Sequence, residues 1–174
     1  MVEVTFSFRS TKIDTRGHHD FQRLQNGNTL VVSRRDIPAP WNPDKKIASD
    51  IIYEYTPDKE IVWQWKAEDH INELKDQVDL PHPPPDEFND WPHINTAEML
   101  PQNPIAGKDS RFKAGNILFC GRHINTIWIV DRETGKVVWD FYNPDIRENG
   151  QRDALYRTIP YSYELVNKLL SMWK

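Results

Sequence analysis

Two stretches of the chain share one pattern of hydrophobic and polar positions: an apolar strand-like run, a short polar turn and a second apolar run. Residues 51–65 align with residues 127–141 without a gap, because corresponding positions lie 76 residues apart throughout. The polar turn falls at 57–59 in the first copy and at 133–136 in the second. Each stretch is therefore predicted to form a β-hairpin.

A second pair of matches lies upstream of the hairpins. Residues 27–34 resemble residues 115–122, since each is a turn followed by an apolar strand that ends in arginine. Earlier still, His18-His19-Asp20-Phe21 corresponds to His93-Ile94-Asn95-Thr96. Each unit therefore has four predicted strands, at about 19–24, 29–34, 51–56 and 60–66 in the first unit and at about 94–100, 116–121, 126–131 and 136–142 in the second.

Four short antiparallel strands that recur after tens of residues are typical of β-propeller blades. We therefore predict an all-β, β-propeller-like fold in which one domain over residues 1–174 carries two four-stranded blades. Repeat unit one covers about 16–66 and repeat unit two about 91–142. A C-terminal strand and a short helix are predicted within about 155–173, where apolar residues recur at helical spacing.

Other segments are predicted to connect or extend these units. Val4 to Phe8 alternates like the fourth strands and is predicted to be the outer strand of a preceding blade. Long irregular loops are predicted at 35–49, 66–91 and 101–113.

Composition and charge exclude several functions. The formal charge is −4 and basic residues are mixed with acidic ones, so no nucleic-acid partner is predicted. No apolar run approaches the ~20 residues that span a bilayer, and the N-terminus lacks a signal peptide, so we predict no membrane span and, for a complete chain, a cytoplasmic location. The single cysteine, Cys120, lies in an apolar run and is predicted to be a buried thiol.

Histidine and arginine residues take similar places in the two units. His18 and His19 open the first strand of unit one, and Arg34 closes its second strand; His93 and Arg122 do the same in unit two. Because these strands are antiparallel, both groups are expected on one face, near the central channel. Arginine offers a planar pair of donors to sulfate or phosphate, and histidine can act as a nucleophile or proton carrier.

These residues lie in segments that resemble the arylsulfotransferase family. The similarity rests on Asp90-Trp91-Pro92-His93-Ile94-Asn95, on Gly121-Arg122-His123-Ile124-Asn125, on the hairpin at 131–139 and on His18-His19-Asp20 with Asn26-Gly27-Asn28-Thr29-Leu30. The resemblance implies a propeller of six blades that moves a sulfuryl group from a phenolic sulfate ester to a phenol through a transient sulfohistidine. It implies no cofactor and no nucleotide sulfate donor, and family members are often exported.

The resemblance also implies roles for single residues. His93 and Arg122 match the family positions that hold the sulfuryl oxygens, and His18 or His19 is the nearest analogue of the nucleophile. The expected catalytic residues are therefore His18, His19, His93 and Arg122. The expected substrate-binding residues, for a small phenolic or sulfate ester ligand, are Arg34, Asn95, His123 and Asn125.

Two other interpretations use the same residues. One is a non-catalytic propeller that binds an anionic or aromatic ligand or serves as an oligomeric scaffold. The other takes imidazole and carboxylate groups as ligands of zinc or another transition metal, namely those of His18, His19, Asp20, His93 and His123. The neighbouring arginines disfavour a bound cation, so no metal is predicted. His70 and His82 have no counterpart in the other unit and are expected to be ordinary loop residues.

The number of units bears on assembly. Two units cannot close a propeller, which typically has about four to eight blades. An unclosed stack also leaves sheet edges open to pairing with another chain. The chain is therefore predicted to form a homo-oligomer, in which three copies supply six blades, or to lack propeller segments that a longer protein would provide.

Overall fold

A computed structural model describes residues 15–77, 89–124 and 126–142 of the chain. These residues form two antiparallel β-sheets and one short α-helix, so the predicted all-β class is confirmed. The predictions for Val4 to Phe8, for 155–173 and for His82 lie outside the described residues. No helix in the described part of the chain is long and apolar enough to cross a membrane.

The first sheet contains the strands predicted for unit one. Its four antiparallel strands follow one another in chain order: β1 (Arg16–Arg23), β2 (Thr29–Ala39), β3 (Asn42–Tyr55) and β4 (Ile61–Lys66). A fifth, two-residue strand, β5 (Asp90–Trp91), pairs in parallel with β3. This short parallel pairing ties the start of unit two to the first sheet.

The prediction of an irregular loop at 35–49 is wrong. In the structure β2 and β3 continue through this segment as a long hairpin that turns at residues 40–41. Ile37, Ala39 and Ile47 alternate with polar residues and pack their side chains on the core. Pro38 is tolerated because it lies beyond the start of β1, where β3 is the one strand among the described residues that pairs with β2.

The segment predicted as an irregular loop at 66–91 is partly helical. A 3₁₀ turn (Ala67–His70) leads into α1 (Ile71–Gln77). His70 is not an ordinary loop residue, because its ring stacks on Trp65 at 4.7 Å between centroids and its Nδ1 lies 2.9 Å from a carboxylate oxygen of Glu73.

The second sheet contains the strands predicted for unit two. Its strands also follow chain order: β6 (Ile94–Met99), β7 (Ile117–Gly121), β8 (Thr126–Val130) and β9 (Val137–Tyr142). The connection between β6 and β7 contains one 3₁₀ turn (Ser110–Phe112), whose first turn is capped by the side chain of Asp109.

The main core joins the two sheets. Buried side chains from both sheets form one cluster, which includes Leu30, Val32, Ile52, Trp65, Phe119 and Trp128. Two indoles of β4 also donate hydrogen bonds to the β8–β9 turn, from Trp63 to the carbonyl of Arg132 at 2.9 Å and from Trp65 to that of Gly135 at 3.0 Å. The sheets are thus held face to face by apolar packing and by directed hydrogen bonds.

Cys120 lies in a second cluster, on the other face of the second sheet, with Phe112, Leu118 and Ile129. It is buried, and burial raises the pKa of its thiol to about 12. The thiol is therefore protonated at neutral pH and acts as a small apolar group rather than as a nucleophile.

Candidate functional site

Strand β1 bulges where it carries its histidines. Three residues of β1, His18, His19 and Asp20, lie opposite the single residue Val32 of β2. His19 has a φ of 53°, a left-handed conformation that residues other than glycine rarely adopt. A bulge redirects side chains away from the regular alternation of a strand. Here it brings two adjacent imidazoles to the same site.

The third histidine lies just before β6. His93 also has a positive φ, 61°, and its carbonyl accepts a hydrogen bond from the backbone N–H of Arg122 at 2.8 Å. The next carbonyl back, that of Pro92, accepts from the N–H of His123 at 3.2 Å. The residues after β7 thus hold the backbone of His93 in its left-handed conformation.

The three imidazoles form what we call the histidine cluster, made of His18, His19 and His93. The ring centroids lie 3.9 Å apart for His18 and His19, 5.0 Å for His18 and His93, and 4.9 Å for His19 and His93. The Nε2 atoms of His19 and His93 are 2.9 Å apart. One nitrogen from each ring lies within 4.8 Å of the other two, so a single ligand atom can contact all three.

A buried carboxylate orients His18. Asp50 lies in β3 and its side chain is fully buried, with Oδ1 3.3 Å from Nδ1 of His18. Its Oδ2 accepts the backbone N–H of Ile94 at 2.9 Å, which links β3 to the start of β6. Burial raises the pKa of Asp50 above its usual value, although the bonds from His18 and Ile94 oppose that effect.

A second carboxylate, Asp90 of β5, orients His93 and joins it to an arginine. Its Oδ2 lies 2.8 Å from Nδ1 of His93 and accepts a hydrogen bond from the guanidinium of Arg34 at 3.0 Å. Burial alone would raise the pKa of Asp90, but the hydrogen bond from His93 and the nearby positive charges outweigh it, so this pKa is lowered. Because Asp90 is ionised, it accepts a hydrogen bond from Nδ1 of His93, which turns Nε2 of His93 toward the cluster.

The cluster also changes the protonation of His19. Desolvation, and then the neighbouring rings of His18 and His93, lower the pKa of His19 to about 4. His19 is therefore neutral at neutral pH, although its side chain is the exposed member of the cluster. Its ring keeps a lone pair for a proton, a metal ion or an electrophile.

The structure brings together His18, His19, His93 and Arg34, as the strand pairing predicted. His123 lies beside them, with its ring 4.5 Å from that of His93 and its Nδ1 2.6 Å from the backbone carbonyl of Asp90. Arg122 follows β7 with a half-buried side chain. The catalytic and substrate-binding roles of these residues stay predictions.

The other predicted site residues are less closely tied to the cluster. Asn95 lies in the bulge of β6, where its Oδ1 is buried and has no hydrogen-bond partner among the described residues. Asn125 lies outside the described residues. Asp20, weighed above as a metal ligand, bonds instead to the backbone of Phe21 and Ala97.

The two carboxylates that orient the histidines were not predicted from the sequence. Asp50 falls at the edge of a predicted strand, and Asp90 was part of the family motif without a role of its own. The available signal was a charged residue directly beside the apolar run Ile51-Ile52, because a buried charge in a strand requires a partner.

A cavity opens beside the exposed side of the cluster. It has a volume of about 370 Å³ and is lined on its apolar side by Phe21, Val31 and Val32 and on its polar side by His18, His19 and Asp20. Phe21 is 69% exposed, which is high for a phenylalanine. This volume falls within the usual range for small-molecule sites, roughly 300–1,000 Å³.

These observations define an all-β protein that brings imidazole, carboxylate and guanidinium groups together at the histidine cluster. The chain belongs to the arylsulfotransferase family, because the family model described as Arylsulfotransferase (ASST) matches residues 4–148. The resemblance drawn from the motifs is thereby confirmed. Comparisons with curated proteins and with solved structures found no match.

Proposed function

We propose that the chain transfers a sulfuryl group from a phenolic sulfate ester to a phenol by way of a histidine. Family membership supports an arylsulfotransferase-like function in general. The observation that carries the specific proposal is the histidine cluster, in which three imidazoles converge beside the guanidinium of Arg34. Such a set combines nitrogen nucleophiles with donors for sulfate oxygens.

His19 is the proposed nucleophile. It is the exposed member of the cluster, it faces the cavity, and its low pKa keeps the ring neutral at neutral pH. His18 and His93 are more buried, and each is fixed by a carboxylate at Nδ1. In this proposal His18 and His93 position the sulfuryl group that His19 attacks.

The proposed reaction has two displacements at sulfur. A ring nitrogen of His19 attacks the sulfur of the donor, the bond from sulfur to the aryl oxygen breaks, and its electron pair leaves on the phenolate. The oxygen of an acceptor phenol, which gives its proton to solvent, then attacks the same sulfur. The nitrogen–sulfur bond breaks and its electron pair returns to His19. No electrons enter or leave, and no cofactor takes part.

Arginine and histidine side chains hold the sulfuryl oxygens in this proposal. Arg34 and Arg122 supply the guanidinium groups, and His93 takes the position that the family resemblance gives to a residue beside these oxygens. Asn95, His123 and Asn125 remain the candidate substrate-binding residues around them. The aryl ring would lie in the cavity against Phe21 and Val31.

The direct test is transfer of sulfate from 4-nitrophenyl sulfate to phenol by the purified chain. We expect release of 4-nitrophenol that depends on phenol, formation of phenyl sulfate, and parallel lines in double-reciprocal plots, as a covalent intermediate requires. A chain that binds the ester but releases no nitrophenol at any phenol concentration would favour the non-catalytic binding module.

The pH dependence of transfer follows from the low pKa of His19. Protonation removes the lone pair that attacks sulfur, so the rate should fall as pH falls through about 4 and stay level above about pH 5. An ordinary histidine would lose activity below about pH 6.5. Initial rates with 4-nitrophenyl sulfate over pH 4–8 measure this pH dependence. Circular dichroism at each pH confirms that the chain is folded. A half-maximal rate near pH 6.5 would contradict the assignment of His19.

We also propose that the chain self-associates. Three copies of a two-unit chain would supply the six blades that the family resemblance implies, and pairing at the sheet edges would satisfy their free backbone groups. Light scattering at micromolar concentration is expected to give about three times the chain mass of 20.5 kDa. A single species at the chain mass would contradict the ring.

A further inference from the structure

We infer that the histidine cluster is a binding site for a divalent transition-metal ion, held by one ring nitrogen each of His18, His19 and His93. This inference does not rest on sulfuryl transfer, and an ion bound to His19 would occupy the one lone pair with which the neutral ring is proposed to attack sulfur, so metal binding and transfer exclude each other at any one time. The three rings offer nitrogen ligands within 4.8 Å of one another. Three histidines and an open fourth position form a common ligand set for zinc.

The distances between the nitrogens suit such an ion. Ligands about 2.0–2.1 Å from a tetrahedral zinc lie roughly 3.3 Å from each other. In the cluster, the Nε2 atoms of His19 and His93 are 2.9 Å apart, and the widest separation among the three ligand nitrogens stays within 4.8 Å. The closest pair is thus near the tetrahedral separation, and binding requires the widest pair to draw closer.

Two carboxylates hold the buried ligands from behind. Asp50 contacts Nδ1 of His18 and Asp90 contacts Nδ1 of His93, so both rings keep Nε2 for the ion. A carboxylate on the far nitrogen of a histidine is the usual support of a metal ligand, because it fixes the tautomer and makes the ring more basic. Neither ring needs a change of tautomer to bind.

The backbone supports the same conclusion. His19 and His93 both have positive φ, at 53° and 61°, in a region that residues with a side chain rarely adopt. Left-handed residues of this kind concentrate at ligand sites.

The positive charge of Arg34 would repel a metal ion, but neighbouring carboxyl groups offset it. Arg34 is bonded to Asp90, which offsets its charge. Asp50 adds a second carboxyl group beside the ring of His18. The cluster can therefore accept a cation despite the arginine.

Binding of the metal alone tests the inference. After dialysis against a chelator, the full chain should bind one Zn²⁺ by calorimetry, and Co²⁺ should give the strong visible absorption of a tetrahedral nitrogen-rich site. His93→Ala and His18→Ala should lose stoichiometric binding, and Asp90→Asn should weaken it by about 10–100-fold. The control His70→Ala, at the end of the 3₁₀ turn, should bind as the unchanged chain does.

Two results would overturn the inference. One is the absence of a Co²⁺ absorption band in the unchanged chain, a measurement that needs no variant to fold. The other is one-to-one Zn²⁺ binding of equal affinity in His93→Ala, with circular dichroism showing that the variant is folded. Both readouts are independent of sulfate transfer, so a chain that binds the ion and transfers no sulfate would contradict only the proposed function.

Discussion

Replacement of His19 by alanine is expected to lower the turnover of 4-nitrophenyl sulfate by about 10³-fold or more. The change removes the proposed nucleophile, and without it no sulfohistidine can form. The side chain is exposed and is not part of the core, so the fold should persist. Steady-state release of 4-nitrophenol with saturating phenol, together with circular dichroism, measures both effects.

Matched variants separate the nucleophile from its neighbours. His93→Ala should lower turnover by about 10²-fold, because it removes the ring that contacts Nε2 of His19 and holds it in position, and Asp90→Asn should act through His93. His70→Ala changes a histidine that stacks on Trp65 away from the cluster and should leave turnover within about twofold. Added imidazole should partly restore His19→Ala, because the cavity beside it is open. Full activity in His19→Ala would exclude it as the nucleophile.

Pairing of antiparallel strands made part of the site predictable. The first strand of each unit had to run beside the end of its second strand, so His18 and His19 were expected near Arg34 from the repeat alone. That reasoning needs only the alternation of apolar and polar residues and the length of the turns. The prediction of which strand ends lie together holds because burial of one face of a sheet strongly determines the register of its strands.

The rest of the site depends on structure that local patterns do not encode. The bulge in β1 places three residues opposite Val32, and no spacing rule predicts where the extra residues enter. The parallel pairing of Asp90 beside Ala48 comes from a contact between residues more than 40 positions apart. Both features decide which nitrogens meet, so the carboxylates that orient His18 and His93 were missed.

The long hairpin of β2 and β3 shows a related limit. Residues 35–49 contain prolines and many charged residues, which are typical of loops. Their apolar members nevertheless alternate onto the core, and β5 adds a partner to β3 at Ala48 and Ser49. Composition favours a loop at this segment, but contacts with residues distant in the sequence stabilise strands instead.

Trp65→Ala is expected to destabilise the protein by about 3–5 kcal/mol, the usual cost of deleting a large buried aromatic side chain. The indole is 2% exposed and packs against Phe119 and Trp128, with ring centroids 4.9 Å and 6.3 Å away. Its N–H also donates to the carbonyl of Gly135, so the side chain joins the two sheets in two ways. Urea denaturation followed by tryptophan fluorescence measures the free energy of unfolding.

Two further variants make this test specific. Val62→Ala, on the same strand but 50% exposed, should change the free energy of unfolding by less than about 0.5 kcal/mol. Trp65→Phe keeps an aromatic ring but loses the N–H, so its cost should fall between those of the other two variants. Because the histidine cluster takes residues from both sheets, Trp65→Ala should also weaken Zn²⁺ binding near its unfolding midpoint. Equal stability of Trp65→Ala and Val62→Ala would show that the sheets do not depend on this contact.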